Sequence, residues 1–174
     1  MMSQFPKQMK VKDALKRLEK DKIFKIWKEK NKDFFLINAF IMIQGSDDID
    51  NIQIGYCNKK EKKITSFIVD ENNIEQFSDD IFKEPGSKVH KIDVKNIKID
   101  VVEALKRANN AQEKYYSAVI CNKKILLLQN QGKGEIWNMT FITNSLEVLH
   151  FNIDSKSGEL LMHEKSSLLQ FRSN

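Results

Sequence analysis

From Val11 onward, apolar side chains return every three or four positions. Val11, Ala14, Leu15 and Leu18 form one stripe with lysines between them, and neither Gly nor Pro interrupts the chain as far as Lys32. That spacing predicts an amphipathic helix. Ile23, Ile26 and Trp27 carry the stripe on, rotated about the axis after Lys22. At Phe34 the period shortens. Phe34–Ile43 is dense in aromatic and branched residues, as a buried strand is, and Gly45-Ser46-Asp47-Asp48 ends it. Ile52, Ile54 and Tyr56 then alternate with polar or small residues. A lysine-rich turn occupies Asn58–Lys63, and Ile64–Asp70 completes a third strand.

The same order returns further along. Asp100 is placed to cap a helix whose stripe is Val101, Ala104, Leu105 and Ala108. Tyr115–Gln129 supplies strand material, bent or bulged around Asn122-Lys123-Lys124. Gly132-Lys133-Gly134 turns the chain into Ile136–Thr143, and Asn144-Ser145 turns it again into Leu146–Asp154. Ala14-Leu15-Lys16-Arg17 recurs letter for letter as Ala104-Leu105-Lys106-Arg107, at an offset of 90. Ile41-Met42-Ile43-Gln44 parallels Leu126-Leu127-Leu128-Gln129, and Ile52, Ile54 and Tyr56 fall on Trp137, Met139 and Phe141, both at 85. Phe67, Val69 and Asp70 fall on Phe151, Ile153 and Asp154 at 84. The offset shrinks only between elements, where loops tolerate changes of length.

These patterns predict an α+β protein of two tandem units, each a helix plus a three-stranded antiparallel sheet. The first unit spans residues 1–70 and the second 99–174. Residues 71–98 form a connector, acidic at Glu75, Asp79 and Asp80 and turning at Glu84-Pro85-Gly86, with an edge strand at Val89–Val94. In the last strand Leu149, Phe151 and Ile153 share one face, which should receive the helix, and Leu146, Val148 and His150 share the other.

The run Ile136-Trp137-Asn138-Met139-Thr140-Phe141-Ile142, followed by Leu149–Asp154, Ser155-Lys156-Ser157-Gly158 and Glu159-Leu160, resembles a PepSY domain. Asp100–Leu161 carries the resemblance fully and Val11–Asp70 weakly, since Asp70-Glu71-Asn72-Asn73 lacks the turn glycine. The resemblance implies a cystatin-like fold and a binding or regulatory role, often towards peptidases, without a catalytic centre.

Composition narrows the classes. Eleven Phe and 41% hydrophobic residues, with only two Pro, describe a packed globule rather than a disordered chain. Cys57 and Cys121 sit in separate apolar runs with no CxxC spacing, which excludes a zinc knuckle and fits reduced thiols. The first ten residues lack the apolar core of an export signal, and the longest apolar run, Phe34–Ile43, is too short to span a bilayer. A cytoplasmic protein without a transmembrane segment is the expectation. The net charge of +5 is uneven: residues 1–32 hold eleven Lys/Arg against four acids, or +7.

Candidate chemistry is sparse. His150 and Asp154 share a strand face, but at i, i+4 they lie roughly 13 Å apart in an extended chain, too far for one metal. His163 could approach His150 across a hairpin, which keeps a metal-assisted hydrolase as a third reading. Nothing marks Cys121 as a nucleophile paired with His150. Gly132-Lys133-Gly134 lacks the helix and Ser/Thr of a phosphate loop, and the run from Asp154 lacks the last ligand of a calcium loop, so both read as turns. Trp27 and Trp137 read as core. No catalytic residue, metal or cofactor is expected. The leading expectation is a non-catalytic regulatory module that binds a protein or peptide, with a homodimer left open. The alternative is nucleic-acid or anionic-surface binding through Lys16, Arg17 and Lys20 on the basic first helix. Together with His150, these are the candidate interaction residues.

Overall fold

A computed structural model describes residues 8–58, 63–80 and 88–168. Helix α1 (Val11–Lys20) buries Val11, Ala14, Leu15 and Leu18, and helix α2 (Lys22–Lys30) buries Phe24 and Trp27. The break falls at Asp21, which is extended and whose carboxylate accepts from the Ile23 amide at 2.7 Å. Asp is a strong N-cap because its side chain replaces a missing helical acceptor. The rotated stripe is therefore a second helix, with Ile23 and Ile26 exposed rather than buried.

Strands β1 (Phe35–Gln44), β2 (Asn51–Asn58), β3 (Lys63–Asp70) and β4 (Ile74–Asp80) form an antiparallel meander. A strap then leads through a single 3-10 turn, Val94–Asn96, to helix α3 (Val101–Tyr115). Strands β5 (Cys121–Asn130), β6 (Glu135–Thr143), β7 (Glu147–Asp154) and β8 (Leu160–Ser167) form a second meander. The two meanders are not separate sheets. Strand β1 pairs with β5 from Asn38 opposite Gln129 to Gln44 opposite Lys123. The result is one eight-stranded antiparallel sheet in the order β4-β3-β2-β1-β5-β6-β7-β8.

This corrects the expected pair of tandem three-stranded, cystatin/PepSY-like units. Each half contributes four strands, and the halves are fused through their first strands. The unforeseen strands β4 and β8 are the two edges of the sheet. Their polar sequences, IEQFSDD and LLMHEKSS, follow from that position, since edges are protected by charge and bury little. The strand expected at Val89–Val94 is reduced to a single bridge between His90 and Asn130. The lysine-rich turn at residues 59–62 and the turn at Glu84-Pro85-Gly86 lie outside the described residues. The expected irregularity near Asn122 is present as a register shift between Cys121 and Lys123.

The two halves keep matching registers. Ile52 faces Val69 and Ile54 faces Phe67, as Trp137 faces Ile153 and Met139 faces Phe151. Asp70 accepts from the Asn72 and Asn73 amides at 2.7 and 2.6 Å, and Asp154 accepts from the Lys156 and Ser157 amides at 2.8 and 2.6 Å. Arg17 and Arg107 occupy the same place in the repeated tetrapeptide. Arg17 donates to the Asp70 carbonyl, and Arg107 donates to the Gly158 carbonyl at 3.0 Å. Gly158 has φ +78, which favours glycine, and a Cβ there would lie 2.6 Å from the guanidinium carbon and displace Arg107.

Helices α1 and α2 lie on β2–β3, and α3 lies on β6–β8, over the same sheet face. One core cluster joins Leu18, Phe24 and Trp27 to Phe67, and Ala104 and Ala108 to Phe141 and Phe151. The helix starts are tied by one side chain. Lys10, at the N-cap of α1, makes no capping bond with its side chain. Instead Asp100 Oδ1 accepts from the Val11 amide at 2.8 Å and from the Val101 amide at 2.7 Å, and Oδ2 accepts from the Lys12 amide at 3.2 Å. One carboxylate thus sits at two positive helix ends.

Replacing Asp100 with Ala removes both caps and should destabilise the protein by about 2 kcal/mol in a urea titration, with Asp100→Asn losing less. A loss under about 0.5 kcal/mol would contradict the shared cap. Ala104, fully buried on the sheet side of α3, should tolerate no large side chain. Ala104→Leu is expected to cost about 1–3 kcal/mol by overpacking, read by the same titration.

Candidate functional site

An open cleft of about 870 Å³ lies where the first helix pair, the start of β1 and the strap meet. Its apolar lining includes Leu15, Phe34, Phe35, Leu36, Tyr56 and Ile92, with Val94 beside them. The volume is in the range of ligand pockets. The strap wall is pinned to the sheet: the Ile92 amide donates to Leu36 O at 2.9 Å, the Asp93 amide to Glu135 Oε1 at 2.8 Å, and Asn130 Nδ2 to Lys91 O at 2.8 Å. Further on, the Lys98 and Ile99 amides donate to Ser155 O at 2.9 and 2.7 Å, and Trp137 Nε1 donates to Ile99 O at 2.9 Å.

Charged groups of both signs line the cleft, but they are used differently. Glu135 is buried and accepts from the strap, and Asp93 accepts from the Lys95 amide at 3.0 Å. Lys28, Lys32, Lys91 and Lys95 have no carboxylate within 4 Å among the described residues. Lys28 Nζ donates to the Phe34 carbonyl and to Lys32 O at 3.4 Å, which fixes it beyond the last turn of α2. Partial burial lowers the Lys28 pKa below the ordinary lysine value, the Lys91 charge lowers it further, and Asp33 opposes both. The Tyr56 phenol is raised by burial and then by Glu19, so it stays protonated.

Sequence patterns did not single out this cleft. Its lining comes from distant segments that only the fold brings together, and Lys28 and Lys91 each read as ordinary surface lysines. The residues they did single out are scattered. Lys16 and Lys20 are exposed on α1, whereas Arg17 is half-buried and donates to the Asp70 carbonyl. His150 faces away from the helices, with Nδ1 3.2 Å from Thr140 Oγ1. His163 stands on the opposite face, stacked on Tyr115 at 4.0 Å and 2.9 Å from the Tyr116 hydroxyl. Strand alternation therefore separates His150 from His163, and it also separates His150 from Cys121, which packs against the helix-side core. Burial raises the Cys121 pKa, which disfavours the thiolate. Among the described residues, no three His, Cys, Asp or Glu side chains are grouped to hold a metal, and no helix is long and apolar enough to cross a membrane.

No family model and no curated protein matches the chain. A crystal structure from Clostridium difficile 630, named a “putative lipoprotein”, superposes with a TM-score of 0.52 over 86% of this chain and 97% of that one, at 14% sequence identity. That similarity is one of fold.

The Asp154 carboxylate, once a candidate metal ligand, is occupied by its turn. Hydrogen bonds from the Ser157 amide, and after it the Lys156 amide, hold its pKa below the ordinary value despite some desolvation. A depressed folded pKa adds stability above the unfolded value of about 3.9 and loses it as pH falls through the folded value. The stability difference between the wild type and Asp154→Asn should therefore be largest above pH about 5 and shrink on acidification. A difference constant from pH about 6 to 2 in denaturant titrations would contradict this role.

Proposed function

We propose that the protein is a non-catalytic binding module that receives a segment of another protein in the cleft between the first helix pair and the strap. The observation that carries this reading is the composition of the cleft. An apolar floor of Leu15, Phe34, Leu36 and Tyr56 lies beneath lysines that have no carboxylate within 4 Å among the described residues. An apolar surface with a few fixed polar groups around it suits recognition of a side chain in an extended segment. The pinned strap holds one wall before any partner arrives, which lowers the cost of ordering on binding.

The basic face of α1 is the weaker interface. Lys16 and Lys20 are solvated charges there, and Arg17 is half-buried with one bond to the Asp70 carbonyl. Phosphate recognition through two lysines alone would be modest and strongly dependent on salt.

Random twelve-residue peptides displayed on phage and selected on the full chain should yield binders. In amide and methyl NMR spectra these binders should shift Leu15, Tyr56, Ile92 and Val94. Perturbations confined to Lys16 and Lys20, or to the sheet face around His150, would overturn the assignment of the cleft.

A further inference from the structure

We propose that the cleft contains a carboxylate-binding subsite formed by Lys28 and Lys91 beside the Tyr56 hydroxyl, so that the segment it receives is anchored by an acidic group. The inference rests on the reading of the cleft as a peptide site and adds the chemistry of what it takes. Both lysines line the cleft with Tyr56. They are held there by different means. Lys28 Nζ is fixed by the Phe34 and Lys32 carbonyls, which use two of the three donors of an ammonium group and leave the third. Lys91 is carried on a strap whose backbone is bonded to Asn130 at Lys91 and to Leu36 and Glu135 at the next two residues.

Two cations lining one cleft repel each other, and an anion received between them relieves the repulsion. Asp33 and Glu19 also line the cleft, and Asp33 acts on Lys28 only through space rather than as an ion-pair partner. Neither lysine has a carboxylate within 4 Å among the described residues, and Glu135 and Asp93 are engaged with backbone amides. The lowered Lys28 pKa agrees with the geometry: burial lowers it most, the Lys91 charge lowers it further, and Asp33 offsets both. The Tyr56 hydroxyl forms no hydrogen bond with the described residues and stays protonated, so it can donate to a carboxylate. The neighbouring apolar floor favours a carboxylate attached to a hydrophobic body over inorganic phosphate.

The direct test titrates the full chain with 3-phenylpropionate and separately with its neutral amide, following the Lys28 and Lys91 side-chain NMR signals. The carboxylate should shift both signals and raise the Lys28 pKa, and the amide should bind at least about tenfold more weakly, as loss of a charge-assisted hydrogen bond implies. Lys91→Glu, at an exposed position, should keep the fold and abolish carboxylate binding, and Lys28→Arg should retain part of it. Inorganic phosphate should compete poorly. Peptides with an internal Glu and an amidated end, compared with neutral peptides bearing a free end, distinguish a side-chain carboxylate from a chain terminus. Equal binding of acid and amide, or binding unchanged by Lys91→Glu, would overturn the subsite. If selected peptides still mapped to the cleft, the broader reading would survive that result. If the acid bound as expected but no peptide occupied the cleft, the peptide reading would fail instead.

Discussion

The pairing of β1 with β5 is the constraint on which the rest of the molecule depends. Without it, each half would present a long apolar first strand as an open edge, a template for unwanted pairing. With it, Ala39 and Ile41 lie opposite Leu128 and Leu126 on the helix side, while Phe40 and Met42 lie opposite Leu127 and Ile125 on the other. The polar strands β4 and β8 are left to face the surroundings. All three helices then share one sheet face, which lets a single carboxylate, Asp100, complete the starts of both α1 and α3. A second bridge reinforces the seam at its other end. Lys124 on β5 bonds Asp47 from the β1–β2 loop and Asn109 from α3, each at 2.8 Å, and lies over the Phe141 ring at 4.8 Å.

The cleft is a by-product of the same seam. The chain leaves the first meander at one edge of the sheet and must return to its middle to begin the second. The strap that makes this return crosses the start of β1 and the end of β5, and its backbone bonds to Leu36, Asn130 and Glu135. Lys91, Asp93 and Lys95 are thereby set opposite α1 and α2, over an apolar floor. A cleft built this way needs no special loop, only two halves joined out of line with the helices that cover them.

Much of the local architecture was legible in sequence because period and packing agree. The stripes Val11-Ala14-Leu15-Leu18 and Val101-Ala104-Leu105-Ala108 and the face Leu149-Phe151-Ile153 are buried as their spacing requires. The shared register of the two halves also left its trace in the offsets. Three things were hidden. Edge strands are written in polar residues, so β4 resembled a connector and β8 was not marked as a strand. The break at Asp21 uses neither Gly nor Pro, and only the rotation of the stripe hints at it. The fusion of the sheets depends on β1 and β5 being apolar on both faces, which one strand's pattern cannot distinguish from ordinary burial. The cleft was illegible for a related reason. Lys28 is set apart from other lysines by its burial, its bonds to the Phe34 and Lys32 carbonyls and the nearby Lys91, none of which its sequence position shows.

Amide hydrogen exchange across the strands tests this account most directly, because two separate units and one fused sheet predict opposite orders of protection. In the fused sheet β1 and β5 are central, so amides at Phe40–Met42 and Ile125–Leu127 should be among the slowest to exchange, and those of β4 and β8 the fastest of the strands. Rapid exchange along β1 and β5, with protection confined to the middle strand of each half, would mean that the seam does not form.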